Sequence, residues 1–318
     1  MPRPEAPAGL DVTTVHRQLH HQQRPRGAPP SEERFIVRSE MPQRHPLFND
    51  DPLRHDPQVF VELTRRAGLH IGHRHFDVPA ERPGLYYRFM QRITNTDAWA
   101  AAGDAARLAL DLRATPTVTV AGVPRGLRLS GAMAVGGVPG CKGTAELVFV
   151  TPTVARNHRA ASRIAALGAA AEPGGGRARR PADPAEVGRV DPDNVVVSIP
   201  TREGRAYTTV VLVDPDSTVF FADAADSVPG LLLVEALRQS AVLAAGHGHG
   251  LAPQCTALTE LTVHVRGHAE LDLPLWCVAG PEPAGLDTEG RRCVRVNLML
   301  RQADKVTAQA QVLATDTR

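Results

Sequence analysis

Two pairs of opposite charges lie in otherwise apolar segments, and their residue types and spacing are suited to chemistry. Glu235 and Arg238 stand three residues apart in VPGLLLVEALRQS (228–240), and Glu62 and Arg65 have the same spacing in the first half of the chain. Residues three apart share one face of an α-helix. Because a buried charge is costly unless it is paired or used, each pair predicts either a working site or an internal ion pair.

In the catalytic interpretation, Glu235 is a general base that takes a proton from an attacking hydroxyl, and burial raises its pKa. Arg238 would hold a phosphate or a developing oxyanion. In the structural interpretation, the pair fixes a helix against neighbouring loops. Glu62 has the same two interpretations, and we count Arg65 and Gln239 among the candidate substrate-binding residues.

Further candidates flank the starts of the two helices. His55, with a carboxylate beside it in sequence, is either an acid–base group tuned near neutral pH or part of a helix-capping loop. Asp226 and Ser227 are either site residues or N-terminal capping groups. Gly230 either leaves room for a carbonyl or anionic oxygen at a helix N-terminus, or is required for packing.

Other motifs that would indicate a particular chemistry are incomplete or missing in the sequence. His247 and His249 fall in GHGHG, which favours a solvated loop over a metal site. The string VGGVPGCKGT (135–144) breaks the phosphate-loop pattern and predicts a hairpin instead. The sequence has neither a GxSxG nucleophile elbow nor a GxGxxG dinucleotide fingerprint. We therefore expect no metal ion and no cofactor.

Bulk composition excludes several classes of protein. The formal net charge is only +2, and the basic residues are spread along the chain, which argues against a nucleic-acid binder. The longest apolar stretch, around Leu231 to Ala245, is too short for a bilayer and contains charges, and the first residues lack an export signal's apolar core. We expect a cytoplasmic protein without a membrane partner, with its four cysteines reduced.

The elements that must position these residues form a faint repeat. A segment rich in Gly, Pro, Arg and Ala, residues 170–193, is predicted to be a linker that divides the chain. On either side, residues 45–73 and 217–249 share an order: aromatic residues, an acidic loop and a Pro-initiated helix. The two Glu–Arg pairs lie 173 residues apart along the sequence.

After each helix the pattern changes to the alternation of antiparallel strands, and residues 151–171 add a further predicted helix. One long apolar helix followed by several long strands, twice over, predicts an α+β fold in which each helix is wrapped by a curved sheet. We predict a poorly ordered segment over residues 1–30 and two such units over 31–169 and 194–318.

Several strings together resemble the A-factor biosynthesis (AfsA) family of hotdog proteins. VPGLLLVEALRQS resembles the family's helix signature and VRGHAELDLPLWC its second-repeat strand, while HPLF, RHDPQVFVELTRRAG and TPTVARNHRA resemble its first repeat. The resemblance covers most of the chain from about Val15 to Ala314, apart from the linker. It implies a tandem (double) hotdog fold.

The resemblance also implies a chemistry. Archetypal members condense a β-ketoacyl group, delivered as an acyl-carrier-protein thioester, with the hydroxyl of dihydroxyacetone phosphate, and the ester closes toward a butenolide. The implied partners are an acyl-carrier-protein or coenzyme A thioester and a small acceptor, with the protein a monomer or homodimer. Two alternatives stay open: another hotdog acyl reaction (hydration, dehydration, thioester hydrolysis or cyclisation), or acyl-ligand binding without turnover.

One departure from the family pattern bears on mechanism. Where the family reads Asp-His-Val-Pro-Gly, residues 226–230 place Ser227 at the histidine position. The related dehydratases carry a catalytic histidine fourteen residues before the helix glutamate, and that position here is Phe221. A standard dehydratase mechanism is therefore not expected at this site, and the surviving imidazole is that of His55.

Overall fold

The computed structural model describes residues 14–18, 31–41, 45–100, 106–168, 180–221 and 226–318. They form two compact units. The N-terminal unit consists of the described residues of 8–44 together with 52–158, and the C-terminal unit consists of 45–51 together with 159–318. Each unit contains one long central helix and an antiparallel sheet.

The N-terminal unit places its sheet against a helix rich in buried apolar residues. Its elements are β1 (Thr14–Gln18), β2 (Glu33–Glu40), α1 (Val59–His75), β3 (Gly84–Ile93), β4 (Arg107–Val120), β5 (Val123–Val135) and β6 (Val138–Phe149). The strands pair antiparallel in the order β1-β2-β4-β5-β6-β3. The turn at Gly136 and Gly137 has positive φ at both residues, as two-residue hairpins require, which confirms the hairpin predicted there.

A second helix, α2 (Pro152–Gly168), follows β6 and confirms the helical prediction over its described length. The C-terminal unit then repeats the arrangement of a helix and a sheet. Its elements are β7 (Thr201–Glu203), β8 (Ala206–Val211), α3 (Gly230–His249), β9 (Thr256–Val265), β10 (Leu275–Pro281), β11 (Gly285–Leu286), β12 (Arg292–Gln302) and β13 (Lys305–Asp316). The sheet order is β9-β13-β12-β10-β8-β7, with β11 paired to β12.

The helix α3 is the buried axis of the C-terminal unit. Its Leu, Val and Ala side chains lie under the sheet, in contact with β8, β10, β12 and β13. It begins after Pro229 and ends where Gly250 adopts a left-handed conformation with φ of 69°. The prediction of a loop around His247 and His249 is therefore wrong, because both histidines lie in the last turn of α3 and the helix ends only at Gly250.

The sequence predicted an α+β fold with a helix wrapped by an antiparallel sheet, and both units confirm it. The segment 1–30 lies outside the described residues except for β1. Of the predicted linker, the structure describes residues 180–193, which belong to the C-terminal unit. They contain one 3₁₀ turn, Pro184–Val187, and the start of a second, Pro192–Asn194.

The four cysteines are free thiols, and all but Cys255 are buried. None of the described helices combines the length and apolar character needed to span a membrane. Within the same residues, no group of three or more His, Cys, Asp or Glu side chains is placed to hold a metal ion.

Candidate active site

The carboxylate of Glu235 lies inside the C-terminal unit, clamped between two arginines. It projects from the second turn of α3 and is fully buried. Arg189 donates from Nε to Oε1 at 2.8 Å and from Nη2 to Oε2 at 2.7 Å. Arg238, one turn further along α3, donates from Nε to Oε2 at 2.9 Å and from Nη2 to Oε1 at 2.8 Å. The two guanidinium groups thus form paired hydrogen bonds with one carboxylate.

Gln239 completes the cluster and ties it to the backbone. Its Nε2 donates to the Glu235 carboxylate and to the carbonyl of Asn194 at 2.6 Å, while its Oε1 accepts from the Val196 N–H at 3.0 Å. Both ends of this buried amide are therefore engaged within the protein. The geometry gives Gln239 a structural role, in place of the substrate contact that the sequence suggested.

The electrostatics of Glu235 are the reverse of the sequence-based expectation. Burial opposes its ionisation, but the charges and hydrogen bonds of Arg189 and Arg238 outweigh burial and lower its pKa well below the ordinary value. The prediction of a raised pKa is wrong, because it considered burial without a second arginine. A carboxylate in this setting is an anchor for arginines and a poor proton acceptor.

The same network holds the segment 45–51 in the C-terminal unit. Arg189 donates from Nη1 to the carbonyl of Leu47 at 3.1 Å. Asn194 donates from Nδ2 to the carbonyl of Pro46 and to Oδ1 of Asp50, each at 2.7 Å. Asp50 in turn accepts the backbone N–H groups of Val190 and Asp191. The environment of Glu235 is therefore assembled from three separate stretches of the chain.

His45 is a buried imidazole in this segment. Its Nδ1 accepts the N–H groups of Leu47 and Phe48, each at 3.3 Å, and its ring stacks on that of Phe48 with centroids 4.2 Å apart. An accepting Nδ1 places the proton of the neutral ring on Nε2. His45 belongs to the HPLF string, but its spacing to other polar residues did not mark it as a site residue.

The residues that precede α3 do not cap it. The carboxylate of Asp226 is almost fully exposed and pairs with Arg159 at 3.3 Å, and no side chain accepts from the first turn at the N-cap, Pro229. The capping interpretation of Asp226 and Ser227 is therefore wrong. A Cβ placed on Gly230 would meet nothing within 4 Å among the described residues, so packing does not explain that glycine either.

A second buried carboxylate lies close to the start of α3. Glu270 accepts from Arg159 at 3.1 and 3.3 Å and from Arg163 at 3.1 Å, and both arginines come from α2. Burial opposes ionisation of Glu270, but these two arginines lower its pKa. The backbone N–H of Val228, just before α3, donates to the carbonyl of Ala269, so this cluster adjoins the helix start.

In the N-terminal unit, Glu62 forms its own cluster on α1. Arg65 donates twice to its carboxylate at 2.8 Å, and Arg66 donates once at 2.6 Å. Burial opposes ionisation of Glu62, but the two arginines lower its pKa.

His55 lies before α1 in the same unit as Glu62, half-buried, with its backbone N–H bonded to the carbonyl of Trp99 at 2.8 Å. Burial lowers the pKa of the His55 imidazole. Burial therefore favours the neutral form of the ring.

Comparison with known proteins identifies the family of this chain. A family model described as the A-factor biosynthesis (AfsA) hotdog domain matches residues 173–317. A Streptomyces coelicolor protein named 2-oxo-3-(phosphooxy)propyl 3-oxoalkanoate synthase is 30% identical over 269 residues, which cover 82% of this chain and 79% of the relative. A Streptomyces griseus protein of the same name is 28% identical over 285 residues, covering 86% and 87%. This chain belongs to the AfsA family. Because its relatives are synthases, it is an enzyme.

Solved structures confirm the hotdog fold of this AfsA-family protein. A 12:0-ACP thioesterase from Umbellularia californica superimposes with a TM-score of 0.53 and 11% identity, covering 88% of this chain and 93% of that one. An oleoyl thioesterase from Lactobacillus plantarum gives a TM-score of 0.52 and 10% identity, covering 90% and 97%. At these identities the likeness concerns the fold alone.

The AfsA-family resemblance pointed to Glu235 and Arg238, and the structure places them side by side. Glu62, Arg65 and His55 belong to the other unit. Sequence reasoning missed Arg189, which lay in the predicted linker and contacts Glu235 across 46 positions of the chain. It also missed Glu270, although VRGHAELDLPLWC contains it. The string itself was the available signal, because a glutamate between apolar residues is costly to bury unpaired.

Proposed function

We propose that this AfsA-family enzyme joins a β-ketoacyl group to a hydroxyl of dihydroxyacetone phosphate. The relatives' name describes such a product, an ester of a 3-oxoalkanoate with a 2-oxo-3-(phosphooxy)propyl group. The observation that carries the proposal is the 30% identity to one such synthase across 82% of this chain. The product would be a precursor of a butenolide in γ-butyrolactone biosynthesis.

The acyl donor in this proposal is a thioester on an acyl carrier protein or coenzyme A. The acceptor's hydroxyl oxygen attacks the thioester carbonyl carbon, a C–O bond forms and the C–S bond breaks. The hydroxyl proton ends on the departing thiol, so the reaction requires neither an oxidant nor a metal. The acyl chain would lie along α3 with its carbonyl near Gly230, where the described structure leaves space beside the helix start.

Glu235 and Arg238 would act together, with different roles. The carboxylate of Glu235 is held by arginine donors, so we assign it the role of positioning Arg238 and not of taking a proton. Arg238 is the less buried of the two arginines, with a side chain 13% exposed against 4% for Arg189. It would orient the acceptor for attack on the thioester, and losing that orientation should lower the rate roughly 100-fold or more.

Two assignments from the sequence stay part of the proposal. His55, in the N-terminal unit, stays the candidate proton acceptor that the sequence suggested, because an imidazole can take a proton near neutral pH. Asp226 and Ser227, next to the helix start, are candidate substrate contacts. Replacing His55 with Gln would test the first assignment, because a proton acceptor contributes typically 10²–10⁴-fold to rate.

The decisive test is a mass-spectrometric turnover assay. The protein is incubated with a β-ketoacyl-carrier-protein, or its pantetheine thioester, and dihydroxyacetone phosphate. We expect an ester phosphate from the wild type, its near-loss in Arg238→Ala and Glu235→Gln, and its retention in the matched control Arg65→Ala. Thioester consumption without acceptor incorporation would instead support hydrolysis or another acyl reaction. No consumption by a folded protein would overturn the proposal and favour acyl binding without turnover.

A further inference from the structure

Arg159 joins helix α2 to the residues that lead into α3. It lies on the part of α2 that belongs to the C-terminal unit, and its Nη2 donates to the backbone carbonyl of Asp226. Its Nη1 lies 3.3 Å from Oδ2 of the same residue. Asp226 stands shortly before Gly230, the first residue of α3. Arg159 therefore contacts the backbone just ahead of the helix start at which we place the thioester carbonyl.

The buried carboxylate of Glu270 fixes the direction of the Arg159 side chain. Arg159 donates from Nε to Oε1 of Glu270 at 3.3 Å and from Nη2 to Oε2 at 3.1 Å. The side chain of Glu270 is only 2% exposed, against 94% for that of Asp226. Glu270 is the anchor, because a buried ion pair is screened far less than an exposed one. The Asp226 carbonyl is the group that Arg159 then holds in place.

Glu270 can act as an anchor because its own backbone is fixed to the sheet. The buried Gln302, at the end of β12, accepts from the N–H of Glu270 at 2.7 Å and donates to its carbonyl at 2.7 Å. On the other side, α2 packs directly against the loop that carries Glu270. A Cβ placed on Gly267 of that loop would lie 3.5 Å from Oγ of Ser162 on α2. The loop is therefore held both by the sheet and by α2.

A second contact ties the same approach to α3 onto this loop. The N–H of Val228 donates to the carbonyl of Ala269, which directly precedes the anchoring glutamate, at 2.9 Å. The stretch from Asp226 to Val228 is thus held at both ends, at one end through Arg159 and at the other through the backbone. The N-cap, Pro229, contributes no side-chain hydrogen bond to the first turn of the helix. These two contacts therefore take the place of a cap in fixing how the chain enters α3.

We propose that Arg159, anchored on Glu270, is a positioning residue that holds the start of α3 in the geometry that receives the thioester carbonyl. This role rests on the proposed function, which places that carbonyl at the first turn of the helix. A misplacement of about 1 Å at a reacting group can lower a rate on the order of 100-fold. Arg159 contacts no reacting atom itself. Releasing the Asp226 carbonyl should therefore slow the reaction more than it weakens binding of the acyl chain.

Arg163 provides a matched control on the same face of α2. It donates to Glu270 at 3.1 Å and to the carboxylate of Asp272 at 2.7 and 2.6 Å. Within the described part of the chain, neither of these partners lies in the approach to α3. Replacing either arginine therefore removes one cation from Glu270, whereas only the replacement of Arg159 releases the carbonyl of Asp226.

The first experiment measures the helix start without any substrate. Hydrogen–deuterium exchange of the full chain is followed by mass spectrometry in a peptide that covers residues 226–235. This peptide contains the N–H groups of Val228 and Leu233, which are hydrogen-bonded in the wild type. We expect Arg159→Met to speed their exchange about tenfold over the wild type and over the matched control, because the first turn opens locally. Exchange in the middle of α3 should change equally in the two variants, which separates local opening from a general loss of stability.

The second experiment measures turnover with a β-ketoacyl pantetheine thioester and dihydroxyacetone phosphate. Arg159→Met should lower kcat about tenfold and leave the KM for the thioester within about twofold, because the helix start is displaced while the acyl site is kept. Arg163→Met should leave both constants within about twofold of the wild type. Arg159→Lys should recover part of the lost kcat, because an ammonium group can still donate to the Asp226 carbonyl.

The outcomes separate this inference from the proposed function. Equal losses of kcat in Arg159→Met and Arg163→Met would show that the cluster only stabilises the fold, and would overturn the inference. Exchange at the helix start that is unchanged in Arg159→Met would overturn it as well, even with an active wild type. A folded wild type without turnover would overturn the proposed function and with it the catalytic purpose of the contact.

Discussion

The clusters around Glu62 and Glu235 are alike in sequence and differ in where the second arginine comes from. Each glutamate accepts from an arginine three residues later on its own helix. For Glu62 the second arginine is Arg66, the next turn of the same helix, whereas for Glu235 it is Arg189, from a distant segment. The first cluster is local to one helix, and the second joins separate parts of the C-terminal unit.

This difference changes the environment of the charges. The side chains of Arg65 and Arg66 are 36% and 32% exposed, so water solvates much of their charge. Arg189 and Arg238 are nearly buried, so their interactions with Glu235 are poorly screened. The same Glu–Arg spacing therefore gives a partly exposed charge cluster in the N-terminal unit and an interior charge cluster in the C-terminal unit. An interior cluster is the better place to hold an arginine in one orientation toward a bound acceptor.

The largest expected effect is on stability, when each glutamate is removed. Glu235→Ala leaves two buried arginines without a carboxylate and should lower the free energy of unfolding by about 3–5 kcal/mol. Glu62→Ala should cost about 1–2 kcal/mol, because its arginines can turn toward water. Urea unfolding of the two variants measures both values. Equal losses in the free energy of unfolding would contradict the distinction between an interior and a partly exposed cluster.

A smaller effect is expected on catalysis when the arginines are exchanged for lysine. Arg238→Lys keeps the charge but loses the paired geometry, and we expect turnover to fall roughly 10- to 100-fold. Arg65→Lys should stay within about twofold of the wild type, because it lies in the cluster to which we assign no catalytic role. Steady-state turnover by mass spectrometry gives both numbers. A comparable fall in Arg65→Lys would return the N-terminal cluster to the catalytic machinery.

The pH dependence of stability offers a finer comparison. Both carboxylates have a folded-state pKa below their ordinary value of 4.5, so each contributes stability above that pH. That contribution is lost as the pH falls from about 4.5 through the folded-state value, because the unfolded chain takes up protons first. Wild-type stability should therefore decline on acidification. Glu235→Gln should make this decline shallower than Glu62→Gln does. Urea midpoints measured at a series of pH values would show the difference. An equal change in the two variants would contradict the prediction.

Sequence reasoning identified the parts of this protein that depend on neighbours along the chain. Helices α1 and α3, their Glu–Arg spacing and the 135–144 hairpin follow from periodicity and turn residues, and the structure confirms them. The pKa of Glu235 could not follow from its own helix, since it is set by Arg189. Arg189 sits among Gly, Pro and Arg residues without apolar periodicity, so only its contact 46 positions away reveals it.

The same limit explains Glu270. In its own string the residue is an ordinary glutamate before a strand. Its role comes from Arg159 and Arg163 of α2, which pair with it across 111 and 107 positions of the chain. Local patterns specify elements, whereas the charges that decide a site meet through tertiary contacts.

The smallest expected effect concerns Gly230, where one substitution should lower turnover without lowering stability. Its Cβ position is open, and alanine favours a helix over glycine by up to about 1 kcal/mol, so Gly230→Ala should leave stability unchanged or slightly higher. If the open position receives the thioester carbonyl, the added methyl should nevertheless lower turnover several-fold. Urea unfolding and the turnover assay on the same sample test both statements. Unchanged turnover would place the carbonyl elsewhere on α3 and would leave the assignment of Arg238 standing, because that arginine lies two turns further along the helix.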